Sequence, residues 1–135
     1  MKVKINFITD GDVSGVISVA EPNAKIDMYI GTGGAPEGVL AASALHCLNG
    51  QMQTRLVFQN ENEKIKAAKL GIKDLKKKYN IVDMVKGDVI FSATGVTDGN
   101  LVKGIKDLGD SFESQSLVLH KSSKINKKIT NIIKK

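Results

Sequence analysis

The chain predicts an α/β fold, a single layered domain over residues 1–135 with helices packed on a mixed β-sheet. Three observations carry that expectation. Stretches with the two-residue alternation of strands trade places with stretches of helical period through residue 96. Glycine-and-acid turns follow three of the apolar stretches. A chain of 135 residues, 41% hydrophobic and 25% charged, is the size and composition of one globular unit with one core.

The elements follow in order. Val3, Ile5 and Phe7 alternate with Lys4 and Asn6, which predicts a strand over 3–9 ending at Asp10-Gly11-Asp12. Val13 to Ala20 is small and apolar, a short helix closed by Glu21-Pro22-Asn23. Ile26, Met28 and Ile30 share one side of a second strand, which runs into Gly31-Thr32-Gly33-Gly34. Pro36 then suits the first turn of a helix, where its missing N–H costs nothing. Val39, Ser43 and Cys47 stack beside Leu40, Ala44 and Leu48 at the spacing of a buried helical face, and Asn49-Gly50 is a left-handed stop. Residues 51–58 return to period two and predict a third strand. Glu61 to Leu70 is a polar amphipathic helix, and Asp74 to Val85 reads as a surface helix. Asp88 to Val96, β-branched and continuously apolar, has the pattern of an interior strand. Phe112 to His120 is a last strand, and the lysine-rich stretch from Lys121 extends it as a hairpin or frays.

Composition narrows the functional classes. The formal charge of +6 invites a nucleic-acid reading. Arg55, however, is the only arginine, and the aromatic content is 4% without tryptophan. Bidentate base contacts and stacking platforms are therefore scarce, and no nucleic-acid partner is expected. No apolar run has the length of a membrane span, and the first residues lack a signal peptide's apolar region. Cys47 is the only cysteine, which excludes an intrachain disulfide and a cysteine cage for zinc. A cytoplasmic location is the resulting expectation.

Three turns share one design: Asp10-Gly11-Asp12, the stretch Gly31 to Gly38, and Thr94 to Gly99 each follow a predicted strand. Open α/β sheets bind ligands outside the carboxyl ends of their strands. Glycines at 31, 33 and 34 let backbone N–H groups approach an anion, and the helix beginning at Pro36 turns the favourable end of its dipole the same way. Glu37, in that first turn, reads either as a carboxylate answering the dipole or as a hard oxygen ligand for Mg²⁺ or Mn²⁺. Asp10 and Asp12 are either turn formers or acceptors for sugar hydroxyls. Pro36 stands where a dinucleotide fingerprint needs its third glycine, and no Gly-Lys-Ser/Thr follows, so both common nucleotide loops are excluded. His46 belongs to the outer side of its helix, and Cys47 is a core thiol.

The order of these segments carries a resemblance. DGDVSGVISVA at 10–20, GTGGAPEGVLAASALHCLNGQMQTRL at 31–56, KGDVIFSATGVTDGNLVKGI at 86–105 and SLVLHKSS at 116–123 resemble the carboxy-terminal half of class II fructose-1,6-bisphosphatase. The resemblance spans nearly the whole chain. It implies half of the fold shared by the inositol and fructose bisphosphatase superfamily, and a metal-dependent hydrolase that removes the 1-phosphate of fructose 1,6-bisphosphate in gluconeogenesis. Under it, Asp10, Gly11, Asp12 and Gly34 bind substrate, and Glu37 is a metal ligand for Mn²⁺ or Mg²⁺. The family's other ligands, its water-activating region and a basic phosphate-binding segment lie upstream of Asp10 and are absent here. His46 and Thr54 also depart from the family's usual residues.

The chain alone is accordingly expected to be inactive, with no catalytic residue of its own and an amino-terminal half, in the same or a separate chain, supplying the rest. The alternative is a non-catalytic module that binds a sugar phosphate. The face that the missing half would cover predicts association into homo-oligomers.

Overall fold

The computed structural model describes residues 2–9, 12–21 and 23–135. Asp10 and Gly11 lie outside the described residues, as does the side chain of Asp12. The elements are α1 (Asp12–Ser18), α2 (Ala35–Leu48), β1 (Gln53–Arg55), α3 (Glu61–Lys69), β2 (Lys78–Asn80), α4 (Ile81–Met84), β3 (Ile90–Thr94), β4 (Lys106–Asp107), β5 (Ser111–His120) and β6 (Ile125–Lys134). The α/β class holds, with helices set against sheet, and every described strand pairing is antiparallel.

β5 is the centre of a four-stranded sheet. On one side it pairs β3, with Ile90 opposite His120 and Thr94 opposite Ser116, and beyond that β4. On the other it pairs the whole of β6, from Ser111 opposite Lys134 to His120 opposite Ile125. The lysine-rich tail therefore forms a hairpin. β3 pairs β5 alone, so it is an edge strand, where its apolar composition predicts an interior one. Its apolar character is spent on burying Phe91 against the helices.

α2 organises the interior. Its Ala44 packs with Ile17 of α1, Phe91 of β3, Leu117 and Leu119 of β5, and Leu101 and Val102 of the loop before β4. The neighbouring face puts Ala42 and Leu45 against Ile81 and Val85. Alanines at 41, 42 and 44 let other elements approach the helix axis on both sides. Val39 and Leu40, by contrast, are 44% and 51% exposed, so the buried stripe begins one turn later than the sequence suggests. Asn49, at φ 57°, stops the helix, and its N–H returns to the Leu45 carbonyl.

Three local expectations differ from the structure. Residues 74–85 form a turn, then β2, then the single turn α4. Tyr79 lies opposite Thr54 in the ladder with β1, and that pairing overrides the modest helical propensity of the lysine-rich stretch. Of 51–58 only Gln53–Arg55 is strand. Neither 3–9 nor 25–30 joins a sheet. Both have the alternation of strands, but neither is paired with any of the described strands.

Candidate functional site

The Gly31–Gly34 loop and the start of α2 are exposed. Gly34 is the N-cap residue in extended conformation (φ −67°, ψ 156°), and no side chain caps the helix. The first-turn N–H groups of a 14-residue helix are thus left facing outward with the positive end of its dipole. Glu37 is the acidic residue of that turn. Its carboxylate folds back over the Gly34 α-carbon so closely that a β-carbon there would collide with Oε2. The structure therefore brings together Gly34 and Glu37, two of the residues singled out by sequence.

Tyr29 links this loop to α1. One edge of its ring lies against Gly15, where a β-carbon would come within 2.8 Å of Cε2, and its phenolic end lies over Gly31. Glycine is required at both positions because the ring fills the space a side chain would take. Gly15 stands in the helix that Asp12 opens, so Tyr29 ties the helix following the first acidic turn to the glycine loop. Sequence reasoning did not single out this tyrosine. The signal was there, in one of only two tyrosines of the chain standing two residues before Gly31.

The third turn has a different role. Asp98 Oδ1 accepts the Gly104 N–H at 2.9 Å, and Gly99 N–H donates to the Val102 carbonyl at 3.1 Å. Gly95 and Gly104 pack directly on opposing backbone at Lys103 and Thr97. Asp98 is a loop-closing residue, and its carboxylate is engaged within its own turn.

A polar cluster unforeseen from sequence lies elsewhere. Asp88 accepts from His120 Nε2 at 2.8 Å, from the Ser122 hydroxyl at 2.7 Å and from the Ser122 N–H at 3.0 Å. These hydrogen bonds, the Ser122 hydroxyl first and His120 next, hold the Asp88 carboxyl down at about 2. His120 Nδ1 meets the Ser123 hydroxyl at 2.6 Å. The cluster pins the β5–β6 turn to the start of β3. The chain separation of Asp88 and His120 hid it. Cys47 is half-buried beside the first core, its Sγ 3.5 Å from the Val89 carbonyl, and burial pushes its thiol pKa up.

One carboxylate does not make a divalent-cation site, because hard cations take six or more oxygen ligands. Among the described residues no group of three or more histidine, cysteine, aspartate or glutamate side chains could hold a metal ion. Glu37 can offer a single ligand and needs others from outside these residues. A cleft of 430 Å³ is lined by Gly50 to Gln53 and Asn80 to Val82, at the opposite end of α2 and without an ionisable side chain. Among the described residues no helix is long and apolar enough to cross a membrane.

Comparison with known proteins adds the following. Residues 1–133 match the family described as bacterial fructose-1,6-bisphosphatase, glpX-encoded. The chain is 38% identical to the fructose-1,6-bisphosphatase class 2 of Haemophilus influenzae, over 96% of this chain and 43% of that protein. It is 34% identical to the D-fructose 1,6-bisphosphatase class 2/sedoheptulose 1,7-bisphosphatase of Trichodesmium erythraeum, over 90% of this chain and 39% of the relative. The Synechocystis protein of the same description is 35% identical, over 89% and 39%. The chain thus spans about two fifths of the length of these relatives.

Proposed function

The chain belongs to the glpX-encoded bacterial fructose-1,6-bisphosphatase family, and from that premise we propose that it forms the carboxy-terminal part of a metal-dependent fructose 1,6-bisphosphate 1-phosphatase serving gluconeogenesis. In this reading residues 1–135 are one domain. The observation that carries it is the start of α2, where Gly34 and Glu37 share one exposed, uncapped helix terminus. Backbone N–H groups at such a terminus attract an anionic oxygen, and Gly34 allows it to come close. Asp10, Gly11 and Asp12 would accept from the sugar hydroxyls. Glu37 would give one oxygen ligand to Mn²⁺ or Mg²⁺. A bound divalent cation in such an enzyme stabilises charge on the phosphoryl group as it passes to water. The rest of its coordination, and the groups that position the water, would come from the part of the relatives that this chain does not span.

The test is phosphate release from fructose 1,6-bisphosphate with Mn²⁺ or Mg²⁺, by the chain alone and by the chain joined to the amino-terminal part of the H. influenzae relative. Silence from the first and turnover from the second, lost in Glu37→Gln, is the expected result. Turnover by the lone chain would overturn the half-site reading. Binding of the sugar phosphate with no turnover in either form would make the chain a non-catalytic binding module.

A further inference from the structure

Two segments have the sequence of strands and join none of the described sheets. In residues 2–8, Val3, Ile5 and Phe7 are 69%, 70% and 93% exposed. In residues 25–30, Ile26, Met28 and Ile30 are 44%, 72% and 87% exposed. Among the alternate positions, Ile8 and Tyr29 reach α1, while Lys4, Asn6 and Asp27 are exposed. Ile8 Cδ1 and Tyr29 Cε2 each come within 2.8 Å of the position a Gly15 β-carbon would take. Both segments therefore touch α1 at Gly15, and α1 packs on α2. The connection between them, with α1 inside it, is long enough for a parallel crossover. Parallel strands are covered on both faces and read as nearly continuous apolar runs, as Ile5 to Ile8 and Ile26 to Ile30 do but for Asn6 and Asp27. Here α1 touches the two segments at Ile8 and Tyr29. The other face is bare.

We infer that residues 2–8 and 25–30 are two strands of a sheet completed by the amino-terminal part of the family's fold, and that Val3, Ile5, Phe7, Ile26, Met28 and Ile30 form the face this part covers. The inference rests on the functional reading above, in which the chain works joined to that part. Side chains of this size at these exposures present on the order of 700 Å² of apolar surface. That exceeds the few hundred Å² that monomers leave as one patch and approaches the ~800 Å² per partner of a standard interface. The occupant is the remaining three fifths of the fold, since the chain covers 39–43% of its relatives. A second copy suits the face less well. Lys2, Lys4 and Lys25 rim it against Asp27 alone, and two copies face to face would set these lysines against one another.

Hydrogen–deuterium exchange tests this on the lone chain and on the chimera in which the H. influenzae amino-terminal part precedes it. Amides of 2–8 and 25–30 are expected to exchange near the free-chain rate in the lone chain and at least about 100-fold more slowly in the chimera. Phe7→Asp with Met28→Asp is expected to remove that protection while leaving the urea midpoint of the lone chain in place. A fall in that midpoint would show the face already buried and overturn the inference, whether or not the chimera folds. Protection that grows with lone-chain concentration would assign the face to a second copy and overturn it too. A chimera that hydrolyses fructose 1,6-bisphosphate with these amides unprotected sinks this inference and leaves the functional reading standing. Protected amides without turnover do the reverse.

Discussion

Gly34→Ala separates the site from the fold more cleanly than removal of the carboxylate itself. At φ −67° and ψ 156° an alanine backbone is unstrained, so nothing in the main chain resists the substitution. Alanine is a poorer N-cap than glycine, which costs about 0.5–1 kcal/mol. The added β-carbon, however, occupies the place of Glu37 Oε2. The carboxylate has to retreat by more than about 1 Å to reach ordinary contact distance. The side chain is exposed and flexible, so it retreats at little cost in stability. A ligand misplaced by that distance costs on the order of 10²-fold in rate. The assay is phosphate release by the chain joined to the amino-terminal part of its H. influenzae relative, with a urea melt of the same protein. The expected outcome is a drop of about two orders of magnitude in kcat with a nearly unchanged unfolding midpoint. Full activity in Gly34→Ala would mean that the folded-back carboxylate is not the working one, and the pairing of Gly34 with Glu37 would carry no functional weight.

Other outcomes follow from the packing and the charges. Leu119→Ala, at a side chain only 1% exposed in the first core, should cost about 2–5 kcal/mol in urea unfolding. Gly104→Ala should destabilise by about 1–3 kcal/mol, because its β-carbon would meet the Thr97 carbonyl carbon and the Asp98 nitrogen, which belong to backbone and cannot swing aside. Asp88, held at about 2, binds its proton less readily folded than unfolded. Its contribution to stability is therefore present above the unfolded carboxyl value and is lost as pH falls through about 2. Asp88→Asn should flatten the acid limb of a urea-midpoint profile between pH ~4 and ~2, and an unchanged limb would remove Asp88 as its source. The Cys47 thiol, raised by burial, should react with a disulfide reagent more slowly in the folded chain than in urea.

What the sequence disclosed depended on whether local pattern or distant pairing decides an element. α2 was readable because proline, alanines and Asn49-Gly50 all act within the helix they define. α1 and α3 were readable for the same reason, as was β5 from its apolar alternation. Residues 74–85 were not, since Lys78–Asn80 takes its conformation from β1, far back along the chain. The edge position of β3 was hidden too, because apolar composition reports how much surface is buried and not which neighbours bury it. At the site, Gly34 and Glu37 could be placed together from the helix start alone. Tyr29 could not, because its role lies in filling the space above Gly15 and Gly31, and glycine pairs say nothing of what lies between them. The Asp88–His120 contact needed the β3–β5 register, which sets Ile90 opposite His120.

The last strand has a bearing on handling the protein. β6 is ten residues long, exposed along its whole length and hydrogen-bonded on one side only. Such a strand can act as a seed on which further chains add. Here Lys127, Lys128 and Lys134 project from alternate faces of it, and no acidic residue occurs from Lys121 to the end. Approaching copies meet like charge before they can form a ladder. That barrier is electrostatic and hence soluble in salt: the Debye length shrinks from ~10 Å at 0.1 M to ~3 Å at 1 M. Growth of ordered aggregates should therefore speed up as ionic strength rises, and storage in dilute buffer should keep the chain dispersed.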